Sequence, residues 1–468
     1  MKKRLSSALS AFLIVGITLG MSHMHRVTAT TITGTNTLLS YNALNTGPSS
    51  GASWPATAAI ADDDSTVVWF SNASDVVSGV SGGGCNNLYM RNLKTSTNSL
   101  VNVDLSGSPS CVESSGGNGG DYGMSSNGRY VAYVSKSTNV VTSPTVPTDN
   151  LGNVYLKDTL LGVTTLVNTT PTGALANNGG GTSTPIITGV SDDGRLVVFR
   201  SESTNLLSSN NPSNPNYTDY PYIKDMLTGQ TINPVSPDGI TRANSTPGVV
   251  SMSCNGSELV YSSNATNLTP QDNGNTNVYL LDLRNGYHVS NLTYAANSGS
   301  GMGNGSISCN GRYVLMNSTA TNLTSDSVSG SIYHVFRYDR FINTYSLVDK
   351  STSGYIPSTL TATTNANGTA FSADRAVSDN GLVVFRDSDH NLVSPAASKN
   401  SEIYLRDPDA GTSTLVPINS SGVEQNATGV SGVLGITADG KSIIYDSAST
   451  NLVPGVTSGN YLVLSKIQ

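Results

Sequence analysis

Residues 127–133 read NGRYVAY, and variants of this stretch return along the whole chain. Most copies open with Asn-Gly or Asp-Gly and end in an aromatic residue or Met after alternating side chains, a pattern typical of a tight turn that leads into a β-strand. The other copies are residues 64–69 (DSTVVW), 193–199 (DGRLVVF), 255–261 (NGSELVY), 310–316 (NGRYVLM), 380–385 (NGLVVF) and 439–445 (DGKSIIY). Seven copies of one strand predict a repeat architecture.

Each copy is followed by a second strand with a central Tyr or Phe, such as residues 153–158 (NVYLKD) and 402–407 (EIYLRD). A Thr-Gly or Gly-Thr turn then leads into a third strand, and a fourth is expected just before each Asn/Asp-Gly turn. Four short strands repeated radially are the pattern of a β-propeller blade. We therefore predict an all-β fold, a seven-bladed β-propeller of four-stranded antiparallel blades, over residues 30–468.

The seventh copy stops after its third visible strand, which leaves its blade one strand short. Residues 33–39 (TGTNTLL) mirror residues 410–416 (AGTSTLV), the outer strand of the sixth copy. An unpaired strand edge is a liability that ring closure removes. The sequence therefore predicts that residues 32–40 pair with residues 461–464 and complete the last blade.

Three recurring features resemble the WD-like repeats of TolB-type propellers, which are common in exported bacterial proteins. They are the Asn/Asp-Gly turn, the Ser-x-x-Thr-Asn-Leu stretch at residues 201–206, and the Tyr-centred strand that ends in Asp. The resemblance covers nearly all of residues 31–468 and implies a propeller, whereas it implies little about activity because one fold hosts many functions. TolB itself also has an N-terminal α/β domain, for which this chain has no room, so we do not expect TolB itself.

The N-terminus has the three parts of a secretory signal peptide. Lys2, Lys3 and Arg4 form a positive region, residues 8–20 are apolar, and residues 27–29 (VTA) offer small side chains for cleavage. The apolar run is shorter than the roughly 20 residues that a membrane span needs. We therefore expect residues 1–29 to be removed and the mature protein to be periplasmic or extracellular.

The charge balance excludes two classes of partner. Removal of residues 1–29 takes away four of the 24 Lys and Arg and none of the 31 Asp and Glu, which leaves a net charge of −11. Such a surface is unsuited to neutralising nucleic-acid phosphates or to binding an anionic membrane. No later segment is apolar enough to span a bilayer.

Four cysteines follow the signal peptide. Cys85 and Cys111 lie in loops on either side of the last two strands of the first copy, and an exported chain permits disulfides, so we predict a bond between them. Cys254 and Cys309 occupy the same Ser-Cys-Asn-Gly slot in neighbouring copies. We expect equivalent positions in adjacent blades to be too far apart for a bond, and both thiols to be free and partly buried.

Long loops on a rigid scaffold are where binding usually occurs. In an up-and-down blade, the Asn/Asp-Gly and Thr-Gly turns share one face, and the long loops share the other. Aromatic residues that could stack on sugars or grip a peptide stand in these loops. The predicted binding residues are Trp54, Tyr217 and Tyr220.

The sequence does not indicate a cofactor site. The three histidines after the signal peptide, His288, His334 and His390, fall at different repeat positions, so we do not expect them to converge on a metal. We predict no cofactor. A weak calcium candidate is the loop with Asp272, Asn275 and Asn277, although calcium sites usually bring several carboxylates.

These observations predict a non-catalytic, monomeric propeller that binds or scaffolds a protein or glycan partner through its long-loop face. The alternative is a carbohydrate-active or peptide-acting enzyme with an acidic pair at the central channel.

Overall fold

The computed structural model describes residues 31–468 except 51–52, 81–84, 113–121, 147–151, 178–184, 208–219, 234–242, 246, 249, 272, 304–305, 359–374, 400–401 and 428–432. For residues 53–58 and 433–434 it describes the backbone alone. Within these residues the chain forms seven antiparallel sheets, which are the blades of one β-propeller. The predicted fold class and blade number are confirmed.

Successive blades follow the order of the chain. Blade 1 contains β2 (Ser53–Ile60), β3 (Thr66–Ser71), β4 (Asn87–Asn92) and β5 (Thr97–Leu100), and blade 2 contains β6 (Tyr122–Met124), β7 (Tyr130–Ser135), β8 (Asn153–Asp158) and β9 (Val163–Leu166). Blade 3 contains β10 (Ile186–Val190), β11 (Leu196–Ser201), β12 (Tyr220–Asp225) and β13 (Thr231–Ile232), and blade 4 contains β14 (Val250–Met252), β15 (Glu258–Ser263), β16 (Asn277–Asp282) and β17 (His288–Asn291).

Blades 5 to 7 complete the ring. Blade 5 contains β18 (Ser300–Gly301), β19 (Tyr313–Ser318), β20 (His334–Asp339) and β21 (Thr344–Leu347). Blade 6 contains β22 (Val383–Asp387), a short 3-10 helix (His390–Leu392), β23 (Glu402–Asp407) and β24 (Thr412–Leu415), so three strands of this blade lie in the described part of the chain. Blade 7 contains β25 (Val433–Ile436), β26 (Ser442–Ser447), β27 (Tyr461–Ile467) and, from the other end of the chain, β1 (Ile32–Leu38).

The ring closes through β1. Leu38 pairs with Val463 and Thr37 with Leu464, and the ladder continues to Ile32 opposite Ile467. The side chains of Ile32 and Leu38 are buried in the same core cluster as residues of blades 6 and 7. The predicted clasp between the two ends of the chain is confirmed.

The recurring aromatic residues form one cross-strand pair in each of five blades. Trp69 lies opposite Tyr89 with ring centroids 6.0 Å apart, and Tyr261 lies opposite Tyr279 at 5.6 Å. Such pairs stabilise a sheet beyond the apolar area that they bury. The other pairs are Tyr133–Tyr155, Phe199–Tyr222 and Phe385–Tyr404.

The glycine of the Asn/Asp-Gly turn is required for two reasons at once. Gly194 has a φ of +68°, a conformation that side chains disfavour. A Cβ atom on Gly194 would also lie 2.5 Å from the ring of Tyr130 in the preceding blade. The turn that identified the repeat in the sequence is therefore also a contact between blades.

Because the strands alternate in direction, the first–second and third–fourth turns of every blade lie on one face of the disc. We call this the tight-turn face, and the opposite face, with the second–third loops and the connections between blades, the long-loop face.

Candidate functional site

The residues predicted to bind a ligand do not form a site in the described part of the chain. Tyr217 and the side chain of Trp54 lie outside the described residues. Tyr220 is the first residue of β12 and is 2% exposed, so its assignment to an exposed binding surface was wrong. Its ring packs at 6.5 Å from that of Tyr222, two positions along the strand. Side chains two residues apart on a strand point to the same face, which here is the core.

The loop proposed for calcium uses its amides internally. Asp272 lies outside the described residues. Asn277 is buried, and its side-chain amide donates to Asn273 Oδ1 and to the carbonyl of Asn275, at 3.0 Å each. Its Oδ1 atom accepts from Thr293 Oγ1 at 3.1 Å. These bonds order the start of the third strand and engage both ends of the Asn277 amide.

Asn277 is the first residue of the third strand of its blade, and the side chain at this position, which we call the slot, bonds a neighbouring segment in several blades. In blade 2, Asn168 accepts the backbone N–H of Val154 and donates to Asn153, both at 2.9 Å. In blade 5 the same two positions hold His334 and Asp349, whose Nδ1 and Oδ2 atoms are 2.6 Å apart. His334 is fully buried, so this histidine belongs to the slot and is not a surface ligand.

The other two histidines lie elsewhere. His288 begins the outer strand of blade 4, and His390 begins the 3-10 helix of blade 6. The expectation that the histidines do not converge agrees with this placement. Among the described residues, one group of metal-ligating side chains is close enough to share an ion, and it consists of Asp62, Cys254 and Cys309.

Both pairs of cysteines are bonded. Cys85 and Cys111 form the predicted disulfide, with Cα atoms 5.5 Å apart. Cys254 and Cys309, expected to be free, are also bonded, with Cα atoms 4.7 Å apart. The expectation was wrong because blades diverge only towards the rim of the disc. The first–second turns lie beside the axis, where equivalent residues of adjacent blades converge.

The two bonded cysteines belong to a ring of seven equivalent residues that surrounds the axis on the tight-turn face. Hydrogen bonds link each blade to the next. The backbone N–H of Asp62 donates to Ser126 O at 2.8 Å, and that of Cys254 donates to Cys309 O at 3.0 Å. At three other links the acceptor is a carboxylate: Asp192 for the N–H of Ser126, Asp379 for that of Asn310, and Asp62 for that of Ala438. The ring residues are Asp62, Ser126, Asp192, Cys254, Cys309, Asp379 and Ala438.

Arg375 crosses the centre of this ring. Its Nη1 atom bonds the carboxylate of Asp62, and its Nη2 atom lies 3.1 Å from Cys254 Sγ. Cys309 Sγ lies 3.7 Å from Asp62 Oδ2 and 3.8 Å from Ser126 Oγ. The disulfide removes both thiolates as ligands, and the guanidinium engages the carboxylate, so this centre suits an ion pair better than a metal ion.

Further out on the same face, the third–fourth turns of blades 2 to 5 expose apolar side chains. Leu160, Leu227 and Phe341 are 73%, 79% and 78% exposed. At the equivalent exposed positions, blades 1 and 6 carry Lys94 and Asp409 instead. We call the exposed set the apolar arc. It consists of Leu160, Leu161, Leu227, Tyr287, Phe341 and Ile342.

Arginines accompany the apolar arc. In blades 2, 3 and 5, Arg129, Arg195 and Arg312 each place Nη2 2.7 Å from a carboxylate oxygen of the residue that ends the third strand. Each guanidinium is more exposed than its carboxylate. The hydrogen bond from Arg195 holds the pKa of Asp225 at about 2, so this carboxylate stays ionised beneath the arginine. The outer surface of each pair is therefore cationic. The carboxylate partners are Asp158, Asp225 and Asp339.

A cavity of about 430 Å³ lies within the arc, between blades 3 and 4. Leu196, Ile223, Ile232 and Leu283 form its apolar lining. The more exposed lining residues are Arg195, Arg284 and Tyr287.

The turn that carries Tyr287 differs from its equivalents. Five residues, 283–287, separate the paired residues Asp282 and His288, whereas four, 159–162, separate Asp158 and Val163 in blade 2. The extra residue is Tyr287, whose φ of +64° is uncommon for an aromatic side chain. The longer turn places this ring beside the cavity, and local strain of this kind is often found at functional positions.

Repetition could have revealed the apolar arc in the sequence. The arc residues stand in the turn after each Tyr-centred strand, where the pairs Leu160-Leu161 and Phe341-Ile342 break the usual polar composition of a turn.

Within the described residues, no helix is long and apolar enough to cross a bilayer. No protein-family model matches the sequence, and no curated protein matches it.

Several solved structures have a similar fold. An oligogalacturonate lyase in complex with manganese is 11% identical and covers 94% of this chain and 93% of its own, with a TM-score of 0.50. TolB from Acinetobacter baumannii is 11% identical over 62% of this chain, with a TM-score of 0.33, and this chain spans about half (52%) of the length of that protein. The β-propeller domain of the Trilobed protease from Pyrococcus furiosus is 10% identical and covers 86% of this chain and 90% of its own, with a TM-score of 0.41. At these identities the likeness concerns the fold alone.

Proposed function

We propose that this chain is an exported, non-catalytic β-propeller that binds a protein partner through its tight-turn face. The observation that carries the proposal is the apolar arc, with large apolar side chains exposed on the same turn of four consecutive blades. Single exposed apolar residues are ordinary on a soluble protein, whereas a set grouped on one sector of one face is typical of an interaction surface. The proposal of export rests on the signal peptide predicted for residues 1–29.

The charge pattern favours a partner segment that carries both apolar side chains and carboxylates. The whole chain has a net charge of −7, yet the exposed groups that flank the cavity include the guanidinium groups of Arg195 and Arg284. Their own carboxylate partners, Asp225 and Glu258, are largely covered. A carboxylate of the partner would therefore meet cationic edges, and complementary charge of this kind contributes mainly to association rate and specificity.

The described axial residues do not favour an enzyme with an acidic pair at the central channel. Asp62 is bound to Arg375 and to the backbone of Ala438, and hydrogen bonds from the backbone of neighbouring blades occupy Asp192 and Asp379. Each of these carboxylates therefore already holds a neighbouring blade in place.

A capture experiment with two matched variants tests the proposal. The mature chain is immobilised, exposed to the exported proteins of its source organism, and washed at low and high salt. The face variant carries Leu227→Glu and Phe341→Glu, which remove apolar contacts and repel carboxylates. The control variant carries Leu44→Glu and Leu105→Glu, at residues 77% and 59% exposed on the long-loop face.

We expect one protein to be retained by the native chain and the control variant. The face variant should retain it at least about tenfold less, the effect of losing hot-spot contacts, and high salt should weaken the capture. Equal loss in both variants, or binding to neutral lipid vesicles in place of a protein, would overturn the proposal. Dimers seen by light scattering that dissociate only in the face variant would also overturn it, because the occupant would then be a second copy.

A further inference from the structure

The fold does not require the disulfide at the axis. At the positions equivalent to Cys254 and Cys309, the other five blades carry Ser126, Asp192, Asp379, Ala438 and Asp62. The N–H of Cys254 already donates to the carbonyl of Cys309 at 3.0 Å. The bond between the sulfur atoms therefore joins two blades that the ring of hydrogen bonds already links.

The two cysteines differ in exposure to solvent. Cys254 is 9% exposed, whereas Cys309 is partly exposed at the surface of the tight-turn face. Exchange of a disulfide begins when a thiolate attacks one of its sulfur atoms, and access decides which one. We therefore expect an incoming thiolate to attack Cys309 Sγ.

The charges around the two sulfur atoms differ in the same sense. Arg375 Nη2 lies 3.1 Å from Cys254 Sγ and would stabilise a thiolate there. Asp62 Oδ2 lies 3.7 Å from Cys309 Sγ and would oppose negative charge on that sulfur. Both effects favour departure of Cys254 as the thiolate when the bond breaks, and a stabilised leaving thiolate speeds the exchange.

We propose that the Cys254–Cys309 disulfide is an exchange-active bond that oxidises dithiols at the tight-turn face. One thiolate of the dithiol attacks Cys309 Sγ, the bond to Cys254 breaks, and Cys254 leaves as a thiolate paired with Arg375. The second thiol of the dithiol loses its proton to solvent and attacks its own sulfur in the mixed disulfide. Cys309 is released as a thiolate and takes up a proton. Two electrons have then passed from the dithiol, now a disulfide, to the two cysteines.

The molecule contains its own control. Cys85 and Cys111 are also partly exposed, but no arginine is bonded to either of their sulfur atoms among the described contacts. The folded protein is treated with a low concentration of dithiothreitol, samples are alkylated at intervals, and the peptides are identified by mass spectrometry. We expect the axial disulfide to be reduced about tenfold faster than Cys85–Cys111. Arg375→Met should remove most of that advantage and leave the rate at Cys85–Cys111 unchanged.

A second measurement does not depend on a variant that folds. With glutathione, a monothiol, the mixed disulfide of the native protein should form on Cys309 and leave Cys254 to be alkylated. Glutathione on Cys254 or equally on both cysteines, equal reduction rates for the two disulfides, or an unchanged axial rate in folded Arg375→Met would each overturn the proposal.

Discussion

The Oδ1 atom of Asp62 accepts a hydrogen bond from the backbone N–H of Ala438 at 2.7 Å. Asp62 belongs to the first blade and Ala438 holds the equivalent position in the last blade, so this bond crosses the seam where the ring closes. The same carboxylate binds Arg375. One side chain therefore joins the first blade, the last blade and the centre of the ring.

Removal of this carboxylate should destabilise the whole propeller. In Asp62→Ala, the guanidinium of Arg375, whose side chain is 15% exposed, loses its ion-pair partner, and we expect the free energy of unfolding to fall by about 3 kcal/mol. Asp62→Asn keeps an oxygen for Ala438 and should lose less. The control is Asp63→Ala, next in the chain and exposed, which loses a turn hydrogen bond from Ser65 and a surface ion pair with Lys94 and should change stability by only about 1 kcal/mol. Urea unfolding measures all three, and equal effects of the Asp62 and Asp63 variants to Ala would contradict the assigned role.

The clasp should contribute as much to stability as an internal strand. Leu38→Ala removes a side chain that is 3% exposed in a core shared by blades 6 and 7, and we expect a loss of about 2–5 kcal/mol. Thr37→Ala, an exposed neighbour on the same strand, should have little effect. Thermal unfolding followed by circular dichroism compares the two. A melting temperature that is the same in both variants would mean that β1 frays without weakening the ring.

The buried His334–Asp349 pair should be replaceable by the amide pair of blade 2. His334→Asn combined with Asp349→Asn reproduces the arrangement of Asn153 and Asn168, and we expect its stability to remain within about 1 kcal/mol of the native protein. His334→Ala alone should lose about 3–5 kcal/mol, because it leaves a buried carboxylate without its partner.

Chemical unfolding of the single and double variants measures this difference. A double variant that is no more stable than His334→Ala would show that blade 5 needs these two ionisable groups for another reason.

Glu402 should make stability depend on pH. It is fully buried in the slot that holds an asparagine in blades 1, 2 and 4, and burial raises its pKa from 4.5 to about 8. The folded state therefore retains a proton that the unfolded state has lost, and stability from this group falls as the pH rises from about 4.5 to 8. Burial also raises the pKa of Asp387 to about 6. Of these two groups, only Glu402 therefore changes stability between pH 6 and 8.

Glu402→Gln should flatten the dependence of the free energy of unfolding on pH between pH 6 and 8. In the native protein, Glu402 should lower this free energy by up to about 1.4 kcal/mol per pH unit in this range. The amide keeps an oxygen for Gln425 Nε2, which now bonds both carboxyl oxygens at 3.0 and 3.1 Å. Urea midpoints measured across this range give the profile. Parallel profiles for the native protein and the variant would show that Glu402 titrates normally.

The architecture was predictable because the features that build it are local and repeated. The Asn-Gly turn of residues 127–128 needs a glycine at positive φ, and six of the seven copies have one there. The alternation after the turn needs one face in the core, so it marks every copy. The clasp was predictable for the same reason, since β1 matches the outer strand of another blade.

The candidate site was less predictable because it depends on distances across the ring. Cys254 and Cys309 are 55 residues apart, and only the convergence of turns at the axis brings them together. Arg375 stands four residues before Asp379, where the first strand of blade 6 is expected, but this position carries no recurring residue type, so nothing in the sequence placed it beside Asp62. The prediction that Tyr220 is exposed was wrong for a different reason. Tyr220 lies two positions from Tyr222 on the same strand, and this spacing already indicated that both side chains face the core.

The clasp also has a mechanical consequence. Thr31 and Gln468 bond each other through both backbone groups, N–H to O at 3.1 and 2.9 Å, at one end of the β1–β27 ladder. Tension applied between these two residues therefore loads the ladder one rung at a time, as a zipper is opened, instead of shearing every rung together. Force applied between Thr31 and Gln468 should therefore open the propeller at blade 7 first, by separating β1 from β27 one hydrogen-bonded pair at a time.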